Sequence, residues 1–147
     1  MSNQNTKYKI LLVGYRLAGG GLERAMANIS LLLHATNKVE IHLAVLEDEI
    51  AYKYAGNLLN LGKFNTSFLD KKITKYLQLN TYIKENKFDY IIDFRYRLNI
   101  YSEFVFTQLI YAKSKVIYRI GSSNLATYLP KNKLITNLLY RKAYKIV

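Results

Sequence analysis

Residues Ile10 to Val13 are apolar without interruption, Gly19, Gly20 and Gly21 follow, and Leu22, Met26, Ile29 and Leu33 then recur at helical spacing. A short apolar run suits a strand buried on both faces of a parallel sheet, where neither surface meets water. The stripe over 22–35 suits a helix that buries one side. Three glycines between them leave backbone amides uncovered. Strand, glycine turn and helix start together aim unpaired N–H groups and the positive end of the helix dipole at one point, which favours an anion. A phosphorylated ligand is expected there. The alternative is that the glycines only permit a tight turn and close helix packing.

A chain of 147 residues, half of them hydrophobic, can bury one core without staples. We therefore expect one domain over 8–147, preceded by a polar, disordered tail over 1–7. The absence of cysteine excludes disulfides and thiolate metal sites. The sequence holds no run of apolar residues long enough to span a bilayer and no secretory signal pattern, so it reads as cytoplasmic.

Lys and Arg number 22 against 10 acids, a net charge of +12. Such an excess favours anionic partners: nucleic acid, an anionic membrane surface or phosphorylated substrates. Basic residues interleaved with aromatics can bind single strands, but the 14 tyrosines are spread over the expected strands and helices. Nucleic acid is not expected as a partner.

Further strands are expected at Val39–Leu46, Asn65–Leu69, Asp89–Phe94 and Lys115–Ile120. Ile50–Tyr54 reads as an edge strand or hairpin arm turning at Gly56-Asn57. Helices are expected over Lys72–Lys87, over Asn99–Ala112, and after Pro130, which suits a first helical turn. Tyr144–Val147 looks like the start of another strand. Alternating strands and helices imply an α/β, Rossmann-like domain with a largely parallel sheet flanked by helices. Ligands of such sheets sit beyond the carboxyl ends of the strands, near a topological switch point. Three clusters fall at those ends: Arg16 with the glycines, Arg95-Tyr96-Arg97, and Gly121-Ser122-Ser123-Asn124.

None of these clusters completes a sharper motif. Gly14 to Gly19 has P-loop spacing, but Gly20-Gly21 stand where Lys and Ser or Thr belong, and no G-x-G-x-x-G occurs. Arg95 and Arg97 should point to one side of their strand. They either grip a phosphate as a pair or pair with Asp93 or Glu103 in a surface network. Ser122 and Ser123 have no neighbouring His or Asp for nucleophilic work. They and Asn124 suit contacts to a sugar or phosphate, or helix capping. His34 and His42 read as structural, and no His/Asp/Glu cluster has metal-ligand spacing. No metal is expected.

Lys9-Ile-Leu-Leu-Val13, then Gly19-Gly-Gly-Leu-Glu-Arg24 and Asn28-Ile29, resemble the opening of family-4 glycosyltransferases of the GT-B fold. Lys87-Phe-Asp-Tyr-Ile-Ile92 is similar to a later strand of that family, and Tyr140–Val147 to the passage that ends its N-terminal core. The resemblance implies a fold of two Rossmann-like domains, of which this chain is the N-terminal, acceptor-side one. The donor-binding domain, with its E-x7-E motif, would lie outside the chain, in cis or in trans.

The resemblance also implies a nucleotide-sugar donor, with no further cofactor, and a glycan or lipid-linked acceptor of bacterial envelope polysaccharide synthesis. Gly19, Gly20 and Gly21 would approach the donor diphosphate, and Gly20 and Gly21 would bring amides to the leaving group. Glu23 and Arg24 match the motif and could orient the helix start. Where many relatives carry a histidine after the fifth strand, this chain reads Arg119-Ile-Gly-Ser-Ser-Asn124. The expectation is a sugar-transferring enzyme whose isolated first half is inactive, at the inner face of the cell membrane. The alternative is a stand-alone nucleotide- or glycan-binding module.

Overall fold

The apolar run becomes the central strand. In a computed structural model, which describes residues 7–64, 68–97, 99–121 and 130–147 and leaves aside the side chains of 68–71, β1 (Tyr8–Gly14) leads into α1 (Gly21–Ala35) and β2 (Val39–Val45). β3 (Asn57–Asn60) and a 3-10 turn (Leu61–Lys63) precede α2 (Phe68–Asn86). β4 (Tyr90–Asp93) is followed by α3 (Ile100–Phe104), which runs on as a π-helical segment, Val105–Ile110. β5 (Val116–Tyr118), α4 (Lys133–Tyr140) and β6 (Lys145–Ile146) complete the described elements.

The six strands form one sheet in the order β3-β2-β1-β4-β5-β6, and every pairing is parallel. This is the expected α/β, Rossmann-like architecture. Leu11, Leu12 and Val13 are fully buried because helices cover both faces. Each such side chain contributes about 1.5–3 kcal/mol relative to exposure. On one face Leu11 and Val13 pack with Leu79, Phe106, Ile110 and Leu139 from the later helices. On the other, Leu12 packs with Leu22, Met26 and Ala27 of α1.

Several boundaries differ from expectation. The strand placed at 65–69 is instead β3, eight residues earlier. Residues 65–67 lie outside the description, and Phe68 and Leu69 begin α2. Gly56 sets this up: its φ is +109°, and a Cβ there would collide with the Ile41 carbonyl, so only glycine lets the chain turn in beside β2. Ile50–Tyr54 is not a strand arm. Only Ile50 forms a bridge, parallel to Leu17. Pro130 does not enter the last helix. Asn132 caps it, accepting from the Leu134 amide at 2.9 Å, while the Pro130 carbonyl accepts from the Thr136 hydroxyl. Tyr144–Val147 does begin a strand, β6, beside β5. His42 is buried within β2, its ring nitrogens 2.6 Å from the Tyr82 hydroxyl and 2.8 Å from Glu40 Oε1, a structural setting.

Candidate active site at the switch point

The glycine turn is pinned before it reaches the helix. Leu17 donates its amide to the Glu49 carbonyl, and its own carbonyl accepts from the amides of Ala51 and Tyr52, all at 2.9 Å. Gly19 then takes φ +84°, a conformation that residues with a Cβ rarely adopt. Gly20 caps α1 in an extended conformation and has no side chain to offer the first turn. Its carbonyl accepts from the Arg24 amide at 3.1 Å. The amides of Gly21, Leu22 and Glu23 have no carbonyl one turn back, as at the start of any helix.

The three glycines do different things. A Cβ on Gly20 would overlap the Glu23 carboxylate and stand 2.7 Å from the Tyr96 hydroxyl. A Cβ on Gly21 would meet nothing within 4 Å. Close packing therefore explains Gly20, whereas the space over Gly21 is open. Gly20→Ala should destabilise the fold by about 1–3 kcal/mol through overpacking. Gly21→Ala should leave the urea-unfolding midpoint level or higher, since alanine favours a helix over glycine. Equal losses from both substitutions would mean that packing explains the whole turn.

Glu23 is buried and accepts from the Tyr96 hydroxyl at 3.1 Å, which ties α1 to the residues after β4. Beside this contact lies a pocket of about 380 Å³ lined by Gly21, Leu22, Ala25, Tyr96, Arg119 and Gly121. It sits beyond the carboxyl ends of β1, β4 and β5. β1 has β2 on one side and β4 on the other, so strand order reverses there, at the position where ligands of open α/β sheets bind. A Cβ on Gly121 would stand 2.9 Å from the Leu22 side chain, which would have to shift to admit it.

The other expected site residues disperse. Arg16 turns away from the glycines to the acidic run, 2.8 Å from Glu49 and 3.8 Å from Glu47. Those carboxylates raise its pKa further, Glu49 most of all. Arg24 is exposed and stacks over Tyr52, 5.4 Å from the ring centre. Ser122, Ser123 and Asn124 lie outside the described residues.

Arg95 and Arg97 do share a side, as alternation requires, but it is the side covered by α3. Arg95 is 0% exposed and so cannot grip a ligand in the cleft. It donates to both oxygens of Asp93, at 3.1 and 2.8 Å, and to Glu103 at 3.2 Å. Its guanidinium lies over the Phe106 ring, 3.3 Å from the centre. Arg97 stands 3.8 Å from Asp93 and 3.9 Å from Glu103, with its side chain equally enclosed. The pairing with Asp93 and Glu103 is thus a buried network and not a surface one. Burial opposes the charge on Arg95, but Asp93, Tyr111 and Glu103 outweigh it and hold the pKa well above its ordinary value.

Of the pocket's lining only Gly21 and Gly121 are site residues expected from the sequence; the polar side chains, Tyr96 and Arg119, stand within stretches noted there but are not singled out. The same alternation that sends Arg95 and Arg97 under α3 sends Tyr96 to the α1 side, so the signal was present between the two arginines. Arg119 follows β5 directly, where a strand-end cation belongs to the same edge as the glycine turn.

No protein-family model matches the chain, and no curated protein sequence matches it. Among solved structures, the UDP-GlcNAc 2-epimerase from Methanocaldococcus jannaschii is similar over 95% of this chain and 38% of its own, at 14% identity and a TM-score of 0.50. The lipopolysaccharide outer core galactosyltransferase WaaB, in its apo form, is similar over 75% of this chain and 32% of its own, at 18% identity and a TM-score of 0.47. The likeness to the epimerase is one of fold, and that protein has the GT-B fold implied by the sequence resemblance. The chain spans about a third of the length of either structure.

Proposed function

We propose that this chain is the N-terminal, acceptor-side domain of a glycosyltransferase that moves a sugar from a nucleotide-sugar to a glycan or lipid-linked acceptor. Bacterial envelope polysaccharide synthesis, at the cytoplasmic face of the membrane, is the setting that suits it. One observation carries the reading: the open space over Gly21 shares a pocket with Arg119 and Tyr96 at the switch point. A nucleoside diphosphate leaving group gains negative charge as the sugar departs. Amides at a helix start and an arginine, fixed before the reaction, stabilise that charge without reorganising. Gly19 supplies the turn, Gly20 the close packing on Glu23, and Gly21 the approach to the diphosphate. The donor-binding half completes the cleft in cis or in trans.

The test uses the assembly recovered from the native cells through this chain. Release of nucleoside diphosphate from nucleotide-sugars should require an added glycan or lipid acceptor and should fall about tenfold or more in Gly21→Ala and in Arg119→Gln. Release unchanged by both substitutions, in variants that melt normally, would overturn the reading. The purified 147-residue chain should transfer no sugar by itself.

A further inference from the structure

The strands of a parallel sheet all begin at one edge, and here tyrosine stands at that edge three times. Tyr8 opens β1, Tyr90 opens β4, and Tyr144 precedes β6 with its amide on the Val116 carbonyl. The strand order brings their rings into a row. The Tyr8 and Tyr90 ring centres are 6.5 Å apart, and those of Tyr90 and Tyr144 are 5.4 Å apart. Packing accounts for the middle ring, which its neighbours half bury. It does not account for the outer two: Tyr8 is 59% and Tyr144 58% exposed. A phenol ring left in water is apolar surface with a polar tip, the kind of surface that binding sites use.

Cations accompany the row. Lys115 precedes β5, beside β4, and its Nζ lies 5.6 Å from the centre of the Tyr90 ring. Lys7 and Lys145, next in sequence to Tyr8 and Tyr144, are exposed too. Among the described residues, no carboxylate lies within ion-pair distance of these three lysines. The acid next to Tyr90, Asp89, accepts from the Lys9 amide.

We propose that this row binds an anionic glycan. The apolar faces of sugar rings suit the aromatic rings, and sugar hydroxyls suit phenol oxygens that both donate and accept. Carboxylates or phosphates on the glycan suit the lysines. A simple polyanion would meet the lysines and leave the rings in water. The ring planes tilt by 52° from Tyr8 to Tyr90 and by 61° from Tyr90 to Tyr144. A single-stranded nucleic acid stacks its bases on aromatic faces, whereas sugars joined by rotatable linkages turn their faces from one unit to the next. The row and the glycine turn lie at opposite ends of β1, whose seven residues span about 20 Å. The inference therefore stands whether or not the reading of the switch-point pocket does.

Calorimetric titration of the whole chain tests it, with oligogalacturonate as the anionic glycan. Oligogalacturonate should bind, and a neutral maltooligosaccharide of equal length should bind about tenfold more weakly. Tyr8→Ser and Tyr144→Ser should each weaken binding about tenfold, in proteins that melt close to the unaltered chain. Lys115→Gln, which keeps all three rings, should weaken it about threefold. Absence of binding would overturn the proposal, as would equal binding of the two glycans. Binding that the tyrosine substitutions leave unchanged would also overturn it, by reducing the effect to charge. Oligothymidylate bound more tightly than oligogalacturonate, through the same tyrosines, would overturn it and assign the row to single-stranded nucleic acid.

Discussion

Arg95→Ala is expected to cost about 3–5 kcal/mol, enough to leave much of the population unfolded at ordinary temperature. The substitution removes the cation that Asp93 and Glu103 share and leaves both carboxylates enclosed, Asp93 at 0% exposure. It also empties the space against Phe106, where the guanidinium lies flat on the ring. Arg97 does not replace it, because its Nη2 and Nε are 3.8 and 3.9 Å from the same acids and its Nη1 donates to the Arg95 carbonyl. Urea unfolding of the variant would measure the loss. A cost below about 1 kcal/mol would mean that the network is no stronger than a surface ion pair.

A second large effect is expected in alkali. Burial, before any other cause, raises the pKa of Tyr111, Tyr118 and Tyr140 well above the ordinary tyrosine value, and neighbouring Asp93 or Glu103 raises them further. Their hydroxyls keep their protons in the fold and lose them near pH 10 once unfolded. The unfolded chain therefore binds fewer protons above that pH. The stability these groups carry is complete below about pH 10 and is lost as pH rises from there towards the raised folded values. Each tyrosine contributes about 1.4 kcal/mol per pH unit, so the three together make a slope of roughly 4 kcal/mol per unit. Urea midpoints taken on both sides of pH 10, with tyrosinate absorbance as the proton count, would show it. Tyr111→Phe should flatten the slope by about a third. A decline as gentle as that of exposed tyrosines would contradict the expectation.

What could be read from the sequence was what local physics decides. The β1–glycine–α1 passage is continuous in the chain, and its apolar periodicity, glycine count and helix start all point the same way. β3 was misplaced because Asn57–Asn60 has only two apolar residues. It is a strand because Gly56 turns it in against the Ile41 carbonyl, a contact between distant residues. The pocket shows the same division. Gly21 belongs to the legible passage, but Tyr96 and Arg119 join it only because β4 and β5 sit on the far side of β1 from β2. Arg95 was ambiguous for the reverse reason. Two arginines flanking a tyrosine look like a ligand grip until α3 is laid over them, and that covering depends on Glu103 and Phe106 arriving from the next helix.

The central position of β1 also fixes an order of assembly during synthesis. Its residues Tyr8–Gly14 can pair with Val39–Val45 soon after both leave the ribosome, but the partner for the opposite edge, Tyr90–Asp93, comes some fifty residues later. Until then β1 has one edge unpaired, with the apolar Leu11, Leu12 and Val13 along it, the kind of edge that recruits other chains. Pairings that span such an interval form more slowly than local ones. Nascent β1–β3 is thus the interval in which this chain most needs a chaperone, and pausing translation before Tyr90 would lengthen that interval.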